Sequence, residues 1–211
     1  QIRSFAALIT NGAFTEPSID ITCNKEGQVK TNIRKHQVPI GPVAVFGAGN
    51  FPLAFSTVGG DTVAAWAAGC PVVVKAHNGH PGSSSLIAEI VNETIRSEKM
   101  PEGFFSLLFD KGIRVGQALV KHPGIKAVGF TGSFNGGMAL FRIASKRKEP
   151  IPVYAEMGSL NPVFLFPKTL SLRYAETAAL FAASLTQSCG QFCTKPGLFI
   201  AEAGEALDAF M

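Results

Sequence analysis

Short, unbroken apolar segments alternate along this chain with stretches of helical periodicity, and this alternation is what most limits its fold. Val43–Phe46 and Pro71–Lys75 predict two buried strands. Phe104–Phe109 and Ile125–Phe130 predict two more. Strands without polar alternation are buried on both faces, as in a parallel sheet covered by helices. The chain is therefore predicted to be an α/β protein with a doubly wound parallel sheet.

Helical patterns fill the intervals between these strands. They cover Phe55–Ala68, Ser83–Glu98, Arg114–Lys121 and a segment from Gly132 to about Lys146. Further strands are expected near Pro152–Ala155 and Val163–Phe166, followed by one more helical segment. Ile19–Cys23 and Val29–Arg34 alternate apolar and polar residues around a short polar turn. They predict a hairpin that reaches towards a partner subunit.

Composition and charge exclude several classes of protein. The longest apolar run is interrupted by Gly69 and Pro71 and is too short to cross a membrane. The net charge of +4 is small, and its densest cluster, Lys146–Lys148, falls where a helix dipole favours cations, so no nucleic-acid partner is expected. Four cysteines form neither a disulfide framework nor a metal-ligand set, and they favour a reducing, cytoplasmic location.

Glu156 and Cys193 lie in two loops on either side of the last helical segment. A thiol and a carboxylate suit attack on a carbonyl followed by base-assisted hydrolysis. The alternative is that Glu156 is a surface charge and Cys193 a small core residue, which is the commoner situation for a free cysteine.

Three loops follow predicted strands at the edge where such sheets bind nucleotides. Gly47–Asn50 contains two glycines, which permit close approach of the backbone to a ligand. Lys75–Pro81 begins with a cation and has no carboxylate, which leaves room for a 2′-phosphate. Phe130–Ser133 leads into a helix and predicts either an anion site or simple capping of that helix.

These residues resemble the motifs of the aldehyde dehydrogenase superfamily. The matching segments are Val38–Val43 with Asn50–Pro52, Val74–Lys75, Phe130–Ser133, Glu156–Gly158 and Gly190–Cys193, in family order and with family-like spacing. Within the superfamily, the chain is most similar to the NADP-preferring branch, which contains 2-oxoglutarate-semialdehyde (2,5-dioxovalerate) dehydrogenases and a bacterial long-chain fatty aldehyde dehydrogenase.

The resemblance implies a catalytic role for three residues. Cys193 would attack the aldehyde carbon, and Asn50 would donate its amide to the developing oxyanion. After hydride transfer leaves a thioester, Glu156 would activate the water that releases the acid. The substrate would be a small-molecule aldehyde.

The resemblance also implies a set of cofactor-binding residues. Lys75 would hold the adenosine ribose, and Asn78 stands where NAD-selective relatives carry a glutamate, so NADP is expected to bind better than NAD. Arg114 is a candidate for contact with a 2′-phosphate. The remaining cofactor residues would be Gly49, Thr131, Gly132, Ser133 and Gly158.

Length is where this chain departs from the family, whose members continue well beyond the cysteine. Residues 1–157 are expected to be a nucleotide-binding domain without its N-terminal part, with a hairpin arm at about 19–36, and residues 158–211 the beginning of a truncated catalytic domain. The full-length enzyme would be a homodimer or homotetramer. Two alternatives remain: a nucleotide-binding fragment without catalysis, and a thiol hydrolase that uses Cys193 and Glu156.

Overall fold

The structure is a computed structural model that describes residues 1–23 and 26–211. Asn24 and Lys25, in the predicted hairpin turn, lie outside the described residues. The chain divides into two units, Gln1–Met157 and Gly158–Met211. In the part of the chain that is described, no helix is both long and apolar enough to span a membrane.

The first unit contains a hairpin and a five-stranded parallel sheet. The hairpin strands are β1 (Ser18–Cys23) and β2 (Val29–Lys35), which pair antiparallel. The sheet strands are β3 (Val43–Phe46), β4 (Val72–Lys75), β5 (Phe105–Leu108), β6 (Ala127–Thr131) and β7 (Val153–Glu156). Their spatial order is β5-β4-β3-β6-β7. The chain adds β4 and β5 on one side of β3 and then β6 and β7 on the other, so the strand order reverses between β3 and β6. Loops after β3 and β6 therefore flank the crevice where doubly wound sheets bind ligands.

Helices cover both faces of this sheet. They are α2 (Gly60–Ala67), α3 (Pro81–Ser97), α4 (Arg114–Lys121) and α5 (Phe134–Ser145), and a further helix, α1 (Ile2–Asn11), contacts α2. On one face, Val45 and Val74 pack with Ala88 of α3. On the other face, Ala44 and Val128 pack with side chains of α4 and α5. Two apolar clusters on opposite faces explain the unbroken apolar strands and confirm the predicted fold class.

The helix predicted over Phe55–Ala68 is wrong in its first part, because α2 begins only at Gly60. The preceding residues instead fold back onto the loop after β3. The Ala48 N–H donates to the Phe55 carbonyl at 2.6 Å. A Cβ added at Gly47 would lie 2.4 Å from the Ser56 Cα, so only glycine allows this approach. Residues 55 and 56 are thus held against Gly47 and Ala48, in the loop after β3, and are not part of the helix.

The second unit is smaller. It contains β8 (Pro162–Leu165), α6 (Pro167–Thr186), β9 (Leu198–Ala201) and α7 (Glu205–Phe210). Strands β8 and β9 pair parallel, and α6 is the crossover between them. Phe181, Phe199 and Phe210 make edge-on ring contacts with one another at centroid distances of 5.6–6.0 Å. These aromatic contacts join α6, β9 and α7.

Candidate functional site

The strand register brings several of the predicted site residues to the carboxyl edge of the sheet. Phe46 at the end of β3 is aligned with Lys75 on one side and with Phe130 on the other. Thr131 is aligned with Glu156 across β6 and β7. The Gly132 N–H donates to the Glu156 carbonyl at 3.0 Å. The ends of β4, β6 and β7 therefore present a cation, a hydroxyl and a carboxylate along one edge.

Lys75 and Asn78 are in direct contact. The lysine Nζ donates to the Asn78 Oδ1 at 2.9 Å, and the Asn78 Nδ2 donates to the Lys111 carbonyl at 3.1 Å. The amide is thus fixed in orientation, with its oxygen towards the lysine and its nitrogen towards the loop after β5. A neutral group therefore occupies the position beside the Lys75 ammonium.

Asp110 is a charged residue at this edge that the sequence reasoning missed. Its carboxylate accepts hydrogen bonds from the N–H groups of Gly112 and Val115, each at 3.0 Å. These two bonds, with smaller contributions from Lys75 and Arg114, lower the pKa of Asp110. Arg114 is exposed at the start of α4. An aspartate shortly before a predicted helix start was the available signal, because it is a typical capping residue.

Two histidines support the loop that carries Gly49 and Asn50. The rings of His77 and His80 stack with centroids 5.2 Å apart. The His80 Nε2 lies 3.0 Å from the Ala48 carbonyl, and a Cβ added at Gly49 would lie 2.5 Å from the His77 Cε1. Burial, followed by the neighbouring His80 and Lys75, lowers the pKa of His77 and favours its neutral form. The sequence alone gives neither histidine a role, although both lie in the loop that follows a predicted strand.

The turn from β6 into α5 is a capped helix start. The Ser133 Oγ accepts from the Gly136 N–H at 3.2 Å, so the capping alternative is realised. Capping still leaves the positive end of the helix dipole at this turn, which is exposed at Gly132 and Ser133. The predicted anion site and the cap therefore share the same residues.

Asp61 is a second carboxylate that the sequence reasoning missed. It lies in the first turn of α2 against Gly129 of β6, where an added Cβ would lie 3.2 Å from the Asp61 Cβ. Burial raises the pKa of Asp61, a hydrogen bond with the Thr131 side chain lowers it, and the charge of Glu156 raises it. Asp61 also lines a cavity of about 360 Å³ together with Pro39, Ile40 and Tyr154. Glu156 itself is exposed at the end of β7.

Cys193 and Gly158 belong to the second unit, whereas Asn50 and Glu156 belong to the first. Cys193 is an exposed free thiol in the turn that precedes β9. Its carbonyl accepts hydrogen bonds from the Ser159 hydroxyl and from the Asn161 Nδ2, the latter at 2.6 Å. Among the described residues, no cluster of three or more His, Cys, Asp or Glu side chains is arranged to hold a metal ion.

Comparison with known proteins identifies relatives along the whole chain. Residues 6–211 match the sequence model of the aldehyde dehydrogenase family. Alpha-ketoglutaric semialdehyde dehydrogenase 2 of Azospirillum brasilense is 51% identical over 211 residues, which is 100% of this chain and 40% of that protein. Alpha-ketoglutaric semialdehyde dehydrogenase of Acinetobacter baylyi is 49% identical, again over 100% of this chain and 40% of the relative.

A solved structure supports the same comparison. A mutant of aldehyde dehydrogenase C from Pseudomonas syringae, in complex with NAD⁺ and octanal, aligns with a TM-score of 0.69 at 27% identity. The alignment covers 82% of this chain and 34% of that one. The chain therefore spans well under half the length of the relatives it matches.

Proposed function

The chain belongs to the aldehyde dehydrogenase family, and from that membership we propose that it is part of an enzyme that oxidises a semialdehyde to the carboxylic acid with NADP. The observation that carries the proposal is the identity of about half of all positions, along the entire chain, with two alpha-ketoglutaric semialdehyde dehydrogenases. The proposed substrate is accordingly 2-oxoglutarate semialdehyde. A long-chain fatty aldehyde is the second candidate.

The chemistry begins at Cys193. Its thiolate forms a C–S bond to the aldehyde carbon, and the carbonyl oxygen takes up the negative charge. The Asn50 side-chain amide and the Cys193 N–H donate to this oxygen, which stabilises the oxyanion as it forms. NADP, when bound, supplies the hydride acceptor that turns this adduct into a thioester.

Glu156 serves the second half of the reaction. It accepts a proton from the water molecule that attacks the thioester carbonyl. The C–S bond then breaks, the carboxylic acid leaves, and the Cys193 thiolate is regenerated. The exposure of Glu156 at the end of β7 suits a residue that must meet water.

The residues at the carboxyl edge fit an anionic dinucleotide. Lys75, oriented by Asn78, offers a cation at the end of β4, and the start of α5 offers the positive end of a helix dipole. Preference for NADP is supported by the neutral Asn78 beside Lys75. The nearby Asp110 opposes this preference, because the N–H groups of Gly112 and Val115 lower its pKa and keep its carboxylate ionised. Arg114 is the proposed contact for a 2′-phosphate.

An assay of the full-length enzyme tests this function. We expect NADPH formation with 2-oxoglutarate semialdehyde to exceed that with long-chain aldehydes, and NADP to support faster turnover than NAD at equal concentration. Cys193→Ala should abolish turnover, whereas Cys189→Ala, which changes another exposed cysteine of the same unit, should retain it. Turnover that survives Cys193→Ala would refute the proposed mechanism.

A second candidate is that the 211-residue chain binds the nucleotide without catalysing oxidation. The observation in its favour is that it spans 40% of the length of its relatives. Calorimetry with NADP and an aldehyde assay on the same preparation separate the two functions. Binding without turnover supports the second candidate, and steady NADPH production by the isolated chain excludes it.

Assembly and location are part of the same proposal. The hairpin exposes Ile19, Ile21 and Ile33, which suits contact with another subunit in a homodimer or homotetramer of the full-length enzyme. Cys70, Cys189 and Cys193 are free thiols, in keeping with a reducing cytoplasmic location. Sedimentation of the full-length enzyme, before and after Ile21→Lys, tests the role of the hairpin.

A further inference from the structure

Asn161 ties two loops of the second unit together. Its Nδ2 lies 2.6 Å from the Cys193 carbonyl, 2.9 Å from the Lys195 carbonyl and 3.0 Å from the Ser159 Oγ. The Ser159 hydroxyl donates to the same Cys193 carbonyl. Two side chains of the segment before β8 therefore bind the same carbonyl in residues 191–197, the loop before β9 that contains Cys193 and is called the cysteine loop below.

Backbone contacts bring the same two loops into close approach. The Gly197 N–H donates to the Leu160 carbonyl at 2.8 Å. A Cβ added at Gly197 would lie 2.7 Å from that oxygen, so the backbones of these two loops are in direct contact. Asn161 has φ +46°, a left-handed conformation that asparagine tolerates better than most residues. Asparagine therefore suits both the left-handed backbone conformation at this position and the hydrogen bonds that its side chain donates.

An asparagine is suited to this position because one amide nitrogen carries two hydrogens. Those hydrogens can serve the carbonyls of Cys193 and Lys195 at the same time. An aspartate of the same shape has only acceptors when ionised, and it would face two carbonyl oxygens without a hydrogen to share. A glycine would keep the backbone conformation but would remove both donors.

We propose that Asn161, assisted by Ser159, is a positioning residue for Cys193. The carbonyl that it holds lies in the peptide plane that also contains the Cys193 Cα, so holding that plane fixes the position of the Cα and the axis of its Cα–C bond. The range of positions open to Sγ is then restricted before substrate arrives. The inference rests on the proposed role of Cys193 as the nucleophile. Neither Ser159 nor Asn161 takes part in the bond changes themselves.

The first test uses hydrogen exchange of the 211-residue chain. The Lys195 N–H donates to the Phe192 carbonyl and the Gly197 N–H to the Leu160 carbonyl, so both report on order in the cysteine loop. In Asn161→Gly, exchange at these two amides should be faster by about tenfold, since local opening costs less, while exchange within α6 stays unchanged. Unchanged exchange at Lys195 and Gly197 would show that the side chain does not hold the loop.

The second test uses pre-steady-state kinetics of the full-length enzyme. Misplacing a nucleophile by about 1 Å costs up to roughly a hundredfold in rate, and smaller displacements cost about tenfold. The burst of NADPH formation should therefore be slower by about that factor in Asn161→Gly and Asn161→Asp, with an unchanged Kd for NADP. Ser159→Ala should have a smaller effect. Ser171→Ala, which removes a serine hydroxyl bound within α6, is the matched control and should have none.

The outcomes separate the inference from the proposed function. Faster exchange combined with a normal burst rate would make Asn161 structural only and would overturn the positioning role. A wild-type full-length enzyme that forms no NADPH with any aldehyde would refute the proposed function, and with it any role of Asn161 in catalysis. In that case faster exchange in Asn161→Gly would still show that the loop is held by this side chain.

Discussion

Lys75 and Asn78 are joined by a hydrogen bond of 2.9 Å from the lysine Nζ to the amide Oδ1, at the end of β4. The other half of the amide donates to the Lys111 carbonyl. Asn78 therefore orients the lysine without neutralising its charge. Because a carboxylate at this position would both neutralise Lys75 and repel a phosphate, this single contact is where cofactor preference is most open to change.

Replacing Asn78 with glutamate should shift the proposed NADP preference of the full-length enzyme towards NAD. The new carboxylate would form an ion pair with Lys75 and would repel a 2′-phosphate. Like-charge juxtaposition of this kind costs on the order of 1–3 kcal/mol, which is roughly ten- to a hundredfold in the ratio of the two kcat/KM values. Steady-state kinetics with both cofactors measures the ratio.

Asn78→Gln is the control for this substitution. Glutamine matches glutamate in size but carries no charge, so it separates the effect of charge from that of side-chain length. It should leave the NADP to NAD ratio within about threefold of the wild type, on the same kinetic scale. Equal shifts in the two variants would contradict the electrostatic explanation.

Gly49 is predicted to tolerate no side chain while His77 is present. A Cβ there would lie 2.5 Å from the His77 Cε1 and 2.9 Å from its Nε2. Gly49→Ala should therefore lower the free energy of unfolding by about 1–3 kcal/mol, as overpacking usually does. Urea unfolding of the 211-residue chain provides the measurement.

A double-mutant cycle identifies the source of that cost. In a His77→Ala background, Gly49→Ala should cost much less, with a coupling energy of about 1–2 kcal/mol. Gly82→Ala is the matched control, because an added Cβ there has no atom within 4 Å. It should be neutral or stabilise the helix by up to about 1 kcal/mol. Strict additivity of Gly49→Ala and His77→Ala would contradict the proposed clash.

The strands of the sheet could be predicted because burial on both faces requires an unbroken run of apolar residues, which is visible in the sequence. Val45 and Val74 lie inside unbroken apolar runs, and no polar residue interrupts the pattern. The segment before α2 could not be predicted in the same way. Its apolar residues fit a helical period, but the contact of Gly47 with Ser56 decides its conformation, and periodicity carries no information about such contacts.

The site was predictable where local motifs carry it and unpredictable where distant segments meet. Lys75 is the last residue of β4 and Ser133 lies two residues after the end of β6, so their place at the carboxyl edge follows from topology alone. Asp61 lies on a helix and reaches Thr131, the last residue of β6, through a side-chain hydrogen bond. Asn161 meets Cys193 across 32 residues, and its side chain gives no sign of that partner in the sequence.

Arg147 is expected to stabilise the first unit through its side chain. Its guanidinium donates to the carbonyls of Val120, Pro123 and Ile125 at 3.1, 3.3 and 2.9 Å. Arg147→Met should leave these carbonyls short of donors and cost about 1–3 kcal/mol in urea unfolding. Lys148→Met, at the exposed neighbouring position, should stay within about 0.5 kcal/mol of the wild type. Equal effects of the two variants would contradict the assignment.

Glu156→Gln tests the second half of the proposed reaction. Glutamine keeps the shape of the side chain but cannot accept the proton from water. The full-length variant should give one burst of NADPH, with turnover afterwards slower by about a hundredfold or more, in keeping with the usual contribution of a general base. Rapid mixing measures the burst, and mass spectrometry should find the acyl group on Cys193. Steady turnover at the wild-type rate would exclude Glu156 as the base.

Asp61 and Asp110 should change stability with pH in opposite directions. Burial raises the pKa of Asp61, so stability is lost as pH rises from the ordinary carboxyl value through the raised one. Bonds from Gly112 and Val115 lower the pKa of Asp110, so its contribution is present above the ordinary value and is lost as pH falls. Asp61→Asn should therefore be more stable than the wild type at pH 7, and Asp110→Asn less stable. Both differences should shrink in urea titrations repeated below the ordinary carboxyl pKa of about 4, and differences of the same sign would contradict the assigned causes.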